Sequence, residues 1–368
     1  MAQGSSSYRY LALDGYRFIA AGLVALHHYD LDFRLGLDRL SPIFGRLPLM
    51  VDFFFLLSGF VIATSYAERM ANGADYGHFL KARLARLYPL HLLTLAAMLC
   101  MVGIAVAAGV KINHADMFDL RGLPANLLLL HAWGGLDHLT FVGPSWSISA
   151  EWFVYLLAPL FFLAARRLPL FVNVVLLAAT VSAMALVRAR LGLPHWWDTS
   201  YDFGALRAVP TFFAGVLIAM NLHRLQGVAP PWGVVHAVFI AALAGLALGA
   251  PAEAVIALFG LLTLSAALAT RGGALTLMAA PAITRAGNAS YAFYLTQSVV
   301  ATPVLAVLRK TGLLGAPVAF AGALFCLLAT YALSLFLYRR FEKPAQKWIL
   351  ALGAGSPAAK TPGLAPRL

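Results

Sequence analysis

The sequence predicts an all-α, polytopic integral membrane protein of about ten transmembrane helices, with both ends on the cytoplasmic side. Three observations carry this expectation. Of 368 residues, 61% are hydrophobic and 11% charged, with a mean hydropathy of +0.80, which is too apolar for a soluble domain with a polar exterior. Apolar windows of about 20 residues, enough to cross a ~30 Å hydrocarbon core at 1.5 Å per residue, recur along the whole chain. Lys and Arg are shared unequally between alternate connections, the bias that orients membrane proteins.

Taken in order, the expected spans are 11–30, 48–67, 88–109, 146–165, 168–187, 205–222, 232–250, 252–270, 283–307 and 317–338. The pair around Gly249, Ala250 and Pro251 can also be read as one broken span, and the 123–133 stretch is too short to cross alone. With the N-terminus inside, sixteen Lys and Arg fall on the inner side and ten on the outer, with Arg17 left inside the first span. The first apolar run has no small-residue cleavage site behind it and is expected to persist as a span. Three regions follow: a cytoplasmic segment 1–10, a membrane domain 11–344, and a cytoplasmic tail 345–368 that is expected to be disordered, most clearly beyond Leu352, where Gly, Pro, Ala and Ser dominate.

Composition also excludes. The net charge of +12 invites a nucleic-acid reading, but the cations sit at loop ends rather than along one face with aromatic partners, so no nucleic acid is expected. Cys100 and Cys326 both fall inside expected spans and read as small core residues. No solenoid repeat, Walker loop, GxGxxG, HExxH or GxSxG motif occurs, and no metal is expected.

What remains is a set of ionisable residues within or against apolar stretches, where such groups are costly and are functional candidates by default. Arg17 and His28 are eleven residues apart, almost three full turns, and so share one stripe of the first helix with ~16 Å of rise between them. His27 points about 80° away from Arg17, so helix phase favours His28 as the inward member; the bland reading is a histidine capping the helix near the interface. The second span opens Val51-Asp52-Phe53-Phe54-Phe55 and continues through Ser58-Gly59. Asp52 lies at the same end as His28 and either orients its imidazole or sits in interfacial water, while Gly59 permits close approach of another helix. His78 to Pro89 reads as a basic amphipathic turn in which Arg83 and Arg86, at i and i+3, project together. They serve either to grip phosphate oxygens or to anchor the chain to anionic headgroups. The fourth span begins Ser145-Trp146-Ser147-Ile148-Ser149-Ala150-Glu151. A tryptophan belt accounts for Trp146 but not for the carboxylate of Glu151, whose natural roles are a partner for Arg17 or His28 or an acceptor for a hydroxylated substrate. Trp146, Ser149 and Glu151 are the candidate substrate-binding residues of this span.

Five motifs, in this order along residues 11 to 344, resemble the membrane acyltransferase-3 family: Leu13-Asp14-Gly15-Tyr16-Arg17 with His28 eleven residues on; Val51-Asp52-Phe53-Phe54-Phe55-Leu56-Leu57-Ser58-Gly59-Phe60; Arg83-Leu84-Ala85-Arg86-Leu87-Tyr88-Pro89; Ser145-Trp146-Ser147-Ile148-Ser149-Ala150-Glu151; and Phe341-Glu342-Lys343-Pro344. The resemblance implies a ten-helix enzyme of the inner (cytoplasmic) membrane, surrounded by lipid, that moves an acyl group, most often acetyl from acetyl-CoA, onto a hydroxyl of a carbohydrate or glycosylated acceptor. Arg17 and His28 match the family's essential pair, and Arg83 and Arg86 its cytoplasmic arginine motif. The stretch Ser290-Tyr291-Ala292-Phe293-Tyr294-Leu295-Thr296 resembles one that usually closes with His, and here the next residue is Gln297. No fused hydrolase-like domain is expected after the last span.

Acyl transfer from a thioester to an alcohol needs a base, stabilisation of the oxyanion and a grip on the donor. These expectations assign His28 as general base with Asp52 or Glu151 orienting it, Arg83 and Arg86 to the CoA phosphates, and Arg17 to the pantetheine arm or the developing charge. An acyl-histidine on His28 is the two-step alternative. A reading from another class is a glycan or lipid-linked sugar transporter or flippase, in which the same polar residues bind without reacting.

Overall fold

Lipid offers no hydrogen-bond partner to the backbone, so apolar runs of this length must close their bonds internally as helices. The computed structural model describes residues 10–70, 73–109, 115–273, 276–313 and 315–352, and no strand occurs among them. The helices are α1 (Leu11–Phe33), α2 (Ile43–Arg46), α3 (Met50–Tyr66), α4 (Gly73–Ala107), α5 (Leu123–Leu127), α6 (Trp146–Arg167), α7 (Leu170–Leu191), α8 (Gly204–Asn221), α9 (Trp232–Ala247), α10 (Ala252–Arg271), α11 (Pro281–Asn288), α12 (Ser290–Lys310), α13 (Ala316–Leu337) and α14 (Lys343–Ala351). Eight helical stretches among the described residues are long and apolar enough to cross a membrane. Two expected spans fall outside that set: α1, whose apolar character is lowered by Asp14, Arg17, His27 and His28, and α9, which has 16 residues.

Four features differ from the sequence reading or resolve it. The Gly249 region is a turn between two helices: Gly249 takes φ +75°, which L side chains rarely adopt, and α9 and α10 pack on each other. The basic segment 78–89 is no turn. It forms the first turns of the 35-residue α4, which runs through Pro89 without stopping. The expected span 283–307 is broken at Ala289 into α11 and α12. Finally, residues after the last span are not all tail: a π-helical segment, Tyr338–Glu342, leads into α14, which lies against α4. The tail beyond Leu352 lies outside the described residues.

Two glycines set the central packing. A Cβ on Gly59 would sit 2.0 Å from the Phe212 carbonyl oxygen, and one on Gly215 would sit 2.0 Å from that of Leu56. The backbones of α3 and α8 therefore meet at a distance only glycines allow, and these two helices form the most extensive contact among the described residues. A similar approach joins α11 to α1, where a Cβ on Gly287 would meet the Asp14 carbonyl oxygen at 2.2 Å. The larger apolar core gathers around α3, α4, α6 and α8, including Phe53, Phe60, Phe79 and Phe212. A smaller one, including Tyr29, Phe33, Phe293 and Cys326, fills the space between α1, α12 and α13, and Phe54 packs against both.

Candidate active site

The break between α11 and α12 exposes backbone and side-chain acceptors to α1. Arg17 uses them: its Nε donates to Ser290 Oγ at 2.9 Å and its Nη2 to the Gly287 carbonyl at 3.0 Å. Across from it, α4 presents the other two guanidiniums on one face. Arg83, 5% exposed, donates to the Tyr66 hydroxyl at 3.1 Å and lies over that ring, 5.2 Å from its centre. Arg86 lies 5.1 Å over the Tyr291 ring and forms an ion pair with Glu342, supplied by the π-helical segment. The Tyr291 hydroxyl in turn donates to the Leu87 carbonyl at 2.5 Å, one residue from Arg86. Arg17 and Arg83 are both within electrostatic range of Arg86, so α1, α4 and α12 together concentrate three cations. π-helical insertions are uncommon and recur at functional sites.

Glu151 belongs to this inner group rather than to His28. Its Oε1 accepts from Ser58 Oγ at 2.7 Å and from the Tyr155 hydroxyl, and both Glu151 and Tyr155 act electrostatically on Tyr291. The expectation that Glu151 orients His28 is corrected accordingly: the residue is held across α3 and α6 by two hydroxyls.

Asp52 is corrected as well. Its side chain is fully buried and pairs with Arg207, Nη2 to Oδ2 at 2.7 Å, while Oδ1 accepts from Trp196 Nε1 at 2.9 Å. Arg207, buried within α8, is no loop residue. It fills its remaining donors with the carbonyls of Trp197 (3.0 Å), Thr199 (3.2 Å) and Pro48 (2.9 Å). This is a closed polar clamp that ties the start of α3 to α8 and to the 196–199 turn, with no capacity left for an imidazole. Trp146, 8% exposed, lies beneath the Arg207 guanidinium at 5.2 Å and is neither a belt residue nor available to a substrate. Ser149 is fully buried, donating to the Leu129 carbonyl at 2.7 Å and accepting from the Ala132 amide at 3.1 Å. It pins the 129–132 loop to α6, which removes it from the substrate-binding set.

His28 stands on the Arg17 stripe of α1, partly exposed between the buried Val24 and Tyr29. Among the described residues its one ring neighbour is His27, edge-on at 5.6 Å, and His27 is itself tied to the Phe44 carbonyl at 2.9 Å. Among the described residues the His28 imidazole makes no hydrogen bond and no carboxylate pairs with it. Both ring nitrogens therefore remain open to a ligand. Glu342, Ser290 and Tyr291 stand in stretches that carry the family resemblance but had no role assigned to them from the sequence, and Tyr66 and Tyr155 were not singled out at all. A surface recess of about 510 Å³ bordered by Asp119, Arg121, Asp137 and His138 contains none of the expected site residues.

The architecture defines a polytopic helical membrane protein with a cationic cluster at one end of its first helix and an unpartnered histidine toward the other. The chain belongs to the acyltransferase-3 family: residues 10–354 match that family's acyltransferase domain. It is similar to "Protein 2 in picA locus" of Rhizobium radiobacter, 37% identical over 158 residues, which covers 39% of this chain and 77% of that protein. It is also similar to "Acyltransferase MdmB" of Streptomyces mycarofaciens, 35% identical over 125 residues, covering 33% of this chain and 30% of that protein. No solved structure matches.

Proposed function

We propose that this chain is an acyl-CoA-dependent O-acyltransferase of the inner membrane, carrying an acyl group, acetyl in the first instance, from the cytoplasmic side to a carbohydrate hydroxyl reached from the outer half. The observation that carries the reading is the convergence of Arg17, Arg83 and Arg86 at one end of a helix whose other end presents His28. Three guanidiniums suit the phosphates of CoA, which they can bind through paired N–H donors. Glu342 neutralises one of them in the protein alone. The ~16 Å rise from Arg17 to His28 suits an extended pantetheine arm. Both termini are cytoplasmic in this arrangement, and Arg83 and Arg86 face the donor pool.

With the donor so placed, His28 takes the proton of the acceptor hydroxyl as its oxygen attacks the thioester carbonyl. The tetrahedral oxyanion collapses, the carbon–sulfur bond breaks, and the CoA thiolate takes the proton back from the imidazolium. The open ring nitrogens suit a base that must reach substrate on one side. Neither Asp52 nor Glu151 is used to orient it.

The test is release of free CoA thiol from acetyl-CoA by the purified protein in nanodiscs. His28→Ala is expected to lower turnover by about 10²–10⁴-fold, the usual worth of a general base, with donor affinity retained. Arg83→Ala is expected to raise the donor KM with a smaller effect on kcat. Full turnover in His28→Ala removes the base assignment, and absence of any acyl-CoA binding by the wild-type protein removes the reading.

A further inference from the structure

Gln297 is fully buried, and neither its Nε2 nor its Oε1 has a hydrogen-bond partner among the described residues. An amide has two N–H donors and a carbonyl acceptor, and burying all of them unmet is costly enough that native proteins seldom do it without a reason. Gln297 lies on the face of α12 that also carries Ser290 and Tyr294, at spacings of seven and three residues. Ser290 accepts from Arg17, and Tyr294 packs edge-on against Phe54. The stripe of α12 that meets Arg17 thus continues about 10 Å along the helix to Gln297, while the Arg17 stripe of α1 continues to His28.

The two helices stay side by side over that length. At one end Arg17 holds Ser290, and farther along the Tyr29 hydroxyl lies 3.5 Å from the backbone carbonyl oxygen of Gln297 and 2.8 Å from Thr330 Oγ1. Tyr29 is the residue next to His28, so α1 carries the imidazole close to the level at which it meets the backbone of Gln297. Facing stripes of adjacent helices therefore carry two unpartnered hydrogen-bonding groups, one imidazole and one amide, in the half of α1 away from the arginines.

We propose that Gln297 is a substrate-binding residue that hydrogen-bonds a hydroxyl of the acceptor beside His28. This rests on the acyltransferase reading and names a residue that recognises its acceptor. A phosphate or a thioester carbonyl only accepts, and would leave the amide oxygen unmet. A hydroxyl both donates and accepts, so a neutral polyhydroxylated acceptor matches both halves of the amide. The site discriminates against acceptors that lack that hydroxyl, because such a ligand leaves the buried amide unpaired.

The experiment uses the full chain in nanodiscs and the variant Gln297→Met, which keeps length and removes hydrogen bonding. Three quantities are read: the melting temperature without ligand, the affinity for acetyl-CoA, and CoA release with methyl glucoside and methyl rhamnoside as probe acceptors. The variant is expected to melt at a higher temperature, because an unmet amide has been removed. It should bind acetyl-CoA within about twofold of wild type and need about tenfold more glycoside for half-maximal rate. If the wild-type protein uses neither glycoside, the rate of hydrolytic CoA release is read instead, with water as a hydroxyl that donates and accepts. A melting temperature at or below that of wild type overturns the proposal, because the amide is then satisfied within the protein. A higher melting temperature with unchanged glycoside requirement, or unchanged hydrolysis where that is the readout, overturns it too. Wild-type protein that binds no acetyl-CoA refutes the acyltransferase reading, an outcome distinct from both.

Discussion

Replacing Asp52 by Asn separates a structural clamp from a catalytic acid. The substitution keeps the shape of the side chain and removes its charge, leaving the fully buried Arg207 cation facing an amide. At the observed 2.7 Å separation and an effective dielectric constant of about 20, the attraction lost is roughly 6 kcal/mol. The carbonyls of Pro48, Trp197 and Thr199 still hold the guanidinium, and the desolvation of Asp52 is relieved. The expected net destabilisation is therefore about 3–5 kcal/mol, the usual range when one partner of a buried pair is removed. Reversible unfolding by SDS titration in mixed micelles measures it. The double variant Asp52→Leu/Arg207→Met removes both charges and should recover most of the loss, since apolar replacements of buried pairs are commonly neutral or stabilising. CoA release per folded molecule should stay within about tenfold of wild type in both proteins. An Asp52→Asn protein within about 1 kcal/mol of wild-type stability that nevertheless loses more than about a hundredfold in rate would show Asp52 to be a chemical participant and refute the clamp.

Other outcomes follow from the same geometry. Gly59→Ala and Gly215→Ala each place a Cβ 2.0 Å from a carbonyl oxygen of the facing helix; separating α3 from α8 should cost about 1–3 kcal/mol or more, measured by thermal melting in detergent, and an unchanged melt would mean the helices do not touch there. Glu342→Gln strands the Arg86 guanidinium and should loosen α14, seen as faster hydrogen exchange in 343–351 than in the same segment of the wild-type protein; unchanged protection would refute the Arg86–Glu342 tie. Donor KM should rise steeply as sodium chloride is raised, because the phosphate grip is ionic and partly screened, whereas the Gln297-dependent acceptor requirement should be nearly insensitive to salt. Ser149→Ala should lower stability by about 1–3 kcal/mol, leaving the buried Ala132 amide unpaired, with the acceptor KM unmoved.

The helices were legible because their cause is local. An apolar run in lipid has one way to close its backbone bonds, and each of the ten expected segments falls on helix, although α9 is short and the ninth segment is broken at Ala289. The pairing of Arg83 and Arg86 was legible for the same reason, since i and i+3 share a face once α4 is helical. Gly59 signalled a close approach but not to which helix. Asp52, Glu151, Trp146 and Ser149 could be recognised as unusual without showing which neighbour each would meet. Read alone, each looked like a candidate for chemistry, and the structure places Asp52, Trp146 and Ser149 in polar clamps and stacking that hold α3, α6 and α8 together.

The sequence by itself determined that this is a helical membrane chain of the acyltransferase-3 family, which positions hold ionisable groups at odds with their surroundings, and which of those share a stripe. Only the tertiary structure decided their partners. Away from water a charge must find its counterpart inside the protein, and that counterpart is set by which helices become neighbours: Arg207 for Asp52 across 155 positions of chain, Glu342 for Arg86, Ser290 for Arg17 across 273. Helix periodicity reaches a few turns along one element and carries no information about those distances, so the unpartnered amide of Gln297 became visible only once its neighbours on the other helices were known.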